Sequence, residues 1–152
     1  MMPAAVTSSP VPFAVGDEVR ATVHFDAEGI RQFATLAGDT NPLHHDEVVA
    51  RRSRFGGLIA SATQTTSLML GRLAQFVCAR ANVVGLGYAV KLRRAVPAGA
   101  TGEIVWRAVS IEPKPSLGGD IVRFEGELRV SGQTAVTATC DNLVLGPPVG
   151  QP

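Results

Sequence analysis

SATQTTSLMLGRLAQFVCARAN, residues 61–82, is the stretch on which the fold turns. Ser61 and Gln64 stand at the spacing of a capping box, in which a Ser hydroxyl and a Gln amide satisfy N–H groups that a helix start leaves without partners. From Thr65 to about Ala81 the chain carries Leu68, Met69, Leu70, Leu73, Ala74, Phe76 and Val77, apolar on most faces of a helical wheel, and Asn82 can end the run. A helix that is apolar nearly all round has to be covered nearly all round. The spacing therefore predicts one long buried helix.

The segments suited to cover it lie on both sides. Downstream, strand-like runs at 83–93, 102–112, 121–130 and 135–145 are separated by Pro97-Ala98-Gly99, by the turn-rich 113–120 and by Ser131-Gly132; successive strands joined by short turns pair antiparallel. Upstream, Val19, Ala21, Val23 and Phe25 alternate with polar residues, the period of a half-buried strand over 18–25. Asp26 stops that strand and can cap a helix on which Ile30, Phe33, Ala34 and Ala37 share one face, closed by Gly38. A helical turn around 46–51 completes the set. Strand, short helices, central helix and meander together predict an α+β domain, an antiparallel sheet wrapped around a long central helix.

Composition fits a single domain. At 152 residues and 45% hydrophobic content the chain can bury a core without disulfides or metal. The formal net charge of +1 provides no global field to attract nucleic acid or a membrane surface. Cys78 and Cys140, far apart and in apolar company, read as reduced packing residues. No run approaches the roughly 20 apolar residues of a membrane helix, and the N-terminus lacks the pattern of a secretory signal, so a cytoplasmic location is expected. Residues 1–14, with Pro3, Pro10 and Pro12, read as a flexible arm, 15–146 as the domain, and 147–152 as a flexible tail.

Chemistry concentrates at Gly38-Asp39-Thr40-Asn41-Pro42-Leu43-His44-His45-Asp46. Pro42 keeps Asn41 out of the helical region, so Asp39 and His44 can converge across a fixed turn. A carboxylate and an imidazole holding one water are the minimum equipment for general acid–base addition. On spacing alone the favoured reading is a turn-capping Asp39, an Asx turn at Asn41 and a surface or packing His44.

The longer pattern of Phe33, Ala34, Leu36, Gly38, Asp39, Asn41, Pro42, Leu43, His44 and Asp46, continued by Ala50, Phe55, Gly56, Gly57, Ile59 and Ala60, closely resembles the signature of the MaoC-like (R)-specific enoyl-CoA hydratases and dehydratases. That resemblance implies the hot-dog fold, with Asp39 and His44 as the catalytic pair and Asn41 ordering the loop between them. It also implies Gly57, Ser61, Ala62 and Thr63 as substrate-binding residues around the helix start, whose N–H groups face the thioester carbonyl. The implied activity is reversible hydration of a trans-2-enoyl-CoA to an (R)-3-hydroxyacyl-CoA. No metal or redox cofactor is expected, coenzyme A entering only as part of the substrate, and the assembly expected is a homodimer or a higher assembly of dimers.

The chain departs from the family pattern at Ser61-Ala62, where members typically carry His-Gly; the added Cβ of Ala62 narrows the thioester slot. An acyl-CoA thioesterase and a non-catalytic acyl-CoA-binding subunit therefore stay open as alternatives. The first is disfavoured by the lack of any carboxylate between Ser61 and Ala81, the second by the retained Asp39 and His44. Arg51, Arg52 and Arg54, with Lys91, Arg93 and Arg94, are candidate contacts for coenzyme A phosphates or, equally, a solvated charged face. His24 reads as a strand residue and His45 as exposed.

Overall fold

The computed structural model describes residues 11–150. The elements run β1 (Glu18–Phe25), α1 (Ala27–Ala37), a 3-10 turn (Pro42–His44), α2 (Glu47–Arg52), α3 (Ala62–Cys78), β2 (Asn82–Leu92), β3 (Ala100–Lys114), a second 3-10 turn (Pro115–Leu117), β4 (Gly119–Val130) and β5 (Gln133–Gly146). All strand pairings are antiparallel, in the order β1-β3-β4-β5-β2. The chain thus crosses from β1 to the opposite edge through the helices, returns through residues 93–99 to place β3 beside β1, and then fills the sheet back to β2 with the β3-β4-β5 meander. α3 packs into the curl of that sheet.

The inner face of the sheet is apolar and closed. Phe25, Ile104, Trp106, Val122, Phe124 and Leu128 are wholly or almost wholly buried, with Met69, Leu73 and Val77 of α3 set against them. Trp106 also donates its indole N–H to the Met69 carbonyl at 2.9 Å, which ties sheet to helix at the centre of the core. α1 starts on Asp26, whose carboxylate accepts from the Gly29 N–H, and ends on Gly38 at φ 75°, a left-handed position open to glycine at little cost.

Two expectations for α3 change. Ser61 caps the helix through the Gln64 N–H at 3.2 Å, but the Gln64 side chain does not reciprocate: it is buried and its Oε1 has no hydrogen-bond partner among the described residues. The amide is packed inward instead of turning back over the helix start. Nor is α3 covered all round, because Thr63, Ser67, Gly71, Ala74, Gln75 and Cys78 are exposed along one flank. Small and polar side chains occupy that flank, and the apolar count of the sequence hid it. Cys78 is accordingly an exposed thiol, whereas Cys140 is buried and its thiol is pushed up by burial.

Of the expected N-terminal arm, residues 1–10 lie outside the described residues. Phe13 is buried, its ring 6.1 Å from Phe76 and 6.0 Å from Phe124, so the core already begins there. Of the tail, 151–152 lie outside the described residues. No helix among the described residues is long and apolar enough to cross a membrane.

Candidate active site

The turn between α1 and α2 builds the site. Gly38 breaks α1, and the Asp39 N–H still reaches back to the Ala34 carbonyl at 2.8 Å, so Asp39 leaves the helix at a fixed angle. Its Oδ1 accepts from the Asn41 N–H at 3.0 Å, and Asn41 Oδ1 accepts from the Leu43 N–H at 3.1 Å. Two consecutive side-chain caps thus wind the chain into the 3-10 turn that Pro42 starts. At its end His44 points inward, only 6% exposed.

His44 is fixed from its far side. Its Nδ1 lies 2.8 Å from the Ile59 carbonyl, which can only accept, so Nδ1 carries the hydrogen. Ile59 is itself held, its N–H donating to the Leu43 carbonyl at 3.1 Å, while the next residue, Ala60, donates to the Val96 carbonyl at 2.8 Å. With Nδ1–H committed to Ile59, the neutral form of the ring turns a bare Nε2 lone pair toward Asp39 Oδ2, 3.4 Å away, and the protonated form an N–H. In the neutral form the two atoms are both acceptors and do not bond to each other. A water lying against both can donate a hydrogen to each.

This pair opens into a cavity of about 430 Å³ lined by Asp39, Asn41, His44, Phe55, Ile59, Ala60, Ala62, Thr65, Leu92, Arg93, Arg94, Ala95, Val96 and Val136. A larger depression of about 610 Å³ lies on the outer face of the sheet, lined by charged strand residues such as Glu18, Arg107 and Glu127. It lacks the dyad and any helix terminus, so the smaller cavity is the chemical one. The start of α3 forms part of its wall. Of the first four N–H groups of α3, that of Gln64 goes to the Ser61 hydroxyl and that of Thr65 to the Ser61 carbonyl, which leaves those of Ala62 and Thr63 for an incoming oxygen.

The structure thus brings Asp39, Asn41, His44 and Ala62 together. Ser61 is wholly buried beneath the helix start as its cap, the Thr63 hydroxyl faces the Ser61 hydroxyl at 3.0 Å, and Gly57 lies outside the cavity lining. Arg51, Arg52 and Arg54 also lie outside it: Arg51 pairs with Glu47 at 3.4 Å, and Arg54 stacks over the Phe55 ring at 5.6 Å. The arginines on the cavity wall are Arg93 and Arg94, at the end of β2. His45 is not exposed as expected: it is half-buried, with Nε2 2.6 Å from the Asp39 carbonyl oxygen. Its partner is a backbone atom, to which no side-chain spacing points. Among the described residues no group of three or more His, Cys, Asp or Glu is placed to hold a metal.

Comparison with known proteins adds to this geometry. The family described as MaoC like domain matches residues 11–115. An (R)-specific enoyl-CoA hydratase of Aeromonas caviae is 31% identical over 125 residues, 80% of this chain and 92% of that protein. Among solved structures, the A. caviae (R)-hydratase involved in PHA biosynthesis superposes with a TM-score of 0.79 at 23% identity, covering 87% of this chain and 97% of that one. A MaoC-like dehydratase from Rhodospirillum rubrum does so with a TM-score of 0.75 at 26% identity, covering 90% and 96%. The fold shared with the A. caviae structure is the hot-dog fold.

Proposed function

The chain belongs to the MaoC-like domain family, and from that premise we propose that it hydrates trans-2-enoyl-CoA thioesters reversibly to (R)-3-hydroxyacyl-CoA, with Asp39 and His44 as its catalytic pair. The observation that carries this reading is the 3.4 Å approach of two acceptors, Asp39 Oδ2 and His44 Nε2, at the wall of a cavity that also contains the start of α3.

A water held between the two gives up one proton to the pair as its oxygen attacks C3. The electron pair of the C2–C3 double bond moves toward the thioester carbonyl, and a proton returns from the pair to C2. Water and enoyl thioester combine with no atom left over. The dyad acts as one unit, since both side chains reach the same water. The developing enolate oxygen is met by the N–H groups of Ala62 and Thr63, reinforced by the positive end of the helix dipole. The Ala62 methyl lies on the cavity wall and leaves those N–H groups in place; its effect is on the width of the slot, hence on which acyl group fits.

Arg93 and Arg94 are the groups proposed to hold the coenzyme A phosphates, because they share a wall with the dyad. Assembly is proposed to run through β2, which among the described residues pairs only with β5 and exposes Val84, Leu86, Tyr88 and Leu92. An unpaired apolar edge calls for a second copy, and the end of this strand supplies Leu92, Arg93 and Arg94 to the cavity.

The test follows the loss of 2-enoyl absorbance with crotonyl-CoA and a longer 2-enoyl-CoA, with free thiol monitored alongside. Wild-type protein is expected to consume the enoyl group without releasing thiol. Asp39→Asn and His44→Ala are each expected to lose about 10³-fold of kcat/KM while remaining folded. Thiol release without hydration points to thioester hydrolysis; inertness toward both substrates points to a binding role.

A further inference from the structure

His44 and His45 are adjacent, and the structure holds them in opposite tautomers. His44 places its hydrogen on Nδ1 to reach the Ile59 carbonyl; His45 must place its own on Nε2, because the atom 2.6 Å away is the Asp39 carbonyl oxygen. The two rings thus reach backbone carbonyls of two different segments. One is the 58–60 segment behind the imidazole of the dyad, the other the main chain directly under its carboxylate.

The His45 ring lines no part of the cavity and touches neither the dyad's reactive atoms nor the α3 N–H groups. Its effect is on the loop. Asp39 is the second residue past α1, tied behind by its N–H to Ala34; the contact from His45 ties its carbonyl to a residue six positions further on. His45 is anchored in turn. Arg31, near the middle of α1, donates from Nε to the His45 carbonyl at 3.3 Å and from Nη2 to Glu47 Oε1 at 3.0 Å. The helix before the loop, the loop itself and the helix after it are joined by one arginine and one imidazole.

We propose that His45 is a positioning residue, its ring clamping the Asp39 carbonyl so that the Asp39 carboxylate stays in register with His44 Nε2. The proposal rests on the reading of Asp39 and His44 as the hydrating pair. Asp39 Oδ2 and His44 Nε2 stand 3.4 Å apart, too far for a short hydrogen bond, and in the neutral form of the ring both are acceptors, so the dyad by itself does not maintain their separation. The main chain has to set it. Misplacing a reacting group by about an ångström costs on the order of a hundredfold in rate, and a partial drift costs less. A clamp outside the cavity changes kcat and leaves substrate binding alone.

Three variants and one spectrum test this. His45→Leu is expected to lower kcat about tenfold with KM within about twofold of wild type. His45→Gln carries an amide N–H at nearly the reach of Nε2 and is expected to recover most of that loss. Arg31→Met, which releases the His45 carbonyl and leaves its ring in place, is expected to give a smaller loss in the same parameter. Melting temperatures of the two His45 variants are expected to agree within a few degrees, which separates positioning from stability. A long-range ¹H–¹⁵N spectrum of the resting protein is expected to show His45 as the Nε2–H tautomer.

That spectrum needs no turnover, so it reads the clamp even if crotonyl-CoA is not hydrated. An Nδ1–H tautomer at His45 would overturn the proposal. So would full kcat in His45→Leu, or a His45→Gln variant as slow as His45→Leu at an equal melting temperature.

Discussion

Trp106 and Arg107 are neighbours on β3 and have opposite surroundings. Trp106 is wholly buried, with its N–H on the Met69 carbonyl of α3; Arg107 is more than half exposed and reaches across to Glu18 at 2.6 Å. The same alternation runs through β4, where Val122, Phe124 and Leu128 face the helix while Arg123, Glu125 and Arg129 face out. The outward pairs Arg20–Glu103, Arg107–Glu18 and Arg123–Asp141 stand in high-dielectric surroundings where an ion pair contributes little. The inward side chains are held by shape. One backbone therefore carries a face that tolerates change and a face that does not, and the difference is set by the side of the pleat a residue occupies.

Gly126 sits where the inner face has no room for a side chain. It opposes Trp106 across the β3–β4 ladder, and a Cβ built there would lie 2.4 Å from the indole ring. The ring cannot give way cheaply, because it is fully enclosed and bonded to α3. Gly126→Ala is expected to cost about 3 kcal/mol, lowering the melting temperature by roughly 6–12 °C. Thermal unfolding followed by circular dichroism reads this. A loss below 1 kcal/mol would mean that the inner face repacks freely and is not the rigid partner described.

β2 is the strand on which the two faces stop differing. Val84, Leu86, Tyr88 and Leu92 are all exposed, and the ladder slips at Leu86, between Gly85 and Gly87. If this edge is the seam between two copies, Leu86→Lys combined with Tyr88→Lys places like charges along it and is expected to weaken self-association by on the order of 2 kcal/mol, roughly thirtyfold. Sedimentation velocity across a dilution series measures it. An unchanged sedimentation profile removes β2 from the interface.

The alternation of the strands, the caps of α1 and α3 and the motif Asp39 to His44 were legible in the sequence, because each is a local pattern: period two for the pleat, Asp26 or Ser61 before a periodic run, Pro42 fixing a turn. What was not legible depends on closure in space. The Ile59 carbonyl behind His44, the Asp39 carbonyl beneath His45, and the choice of Arg93 and Arg94 over Arg51, Arg52 and Arg54 for the cavity wall depend on residues brought together only when β2 and the 58–60 segment fold against the turn. Backbone acceptors have no signature in a sequence. The burial of Gln64 misled for a related reason: the capping-box spacing is present, but the side chain packs inward and leaves its oxygen unpaired.

The smallest effect belongs to the outer face, and its pH dependence identifies it. Arg123 bonds Asp141 with both arms, Nε to Oδ1 at 2.7 Å and Nη2 to Oδ2 at 2.8 Å, and that bonding holds the Asp141 carboxyl below the usual carboxylate range. A carboxyl whose pKa is lower folded than unfolded stabilises the fold above its unfolded value, near 3.9, and loses that contribution as pH falls through the folded value. Asp141→Asn is therefore expected to cost about 0.5 kcal/mol at pH 7, some 1–2 °C in melting temperature. The gap to wild type should shrink as pH drops below about 4, where the wild-type carboxyl takes up its proton. It should also shrink in about 1 M salt, which screens an exposed pair. A gap that stays constant across pH would assign the loss to packing at β5 instead of charge, and a gap of several kcal/mol would place Asp141 among the residues held by shape.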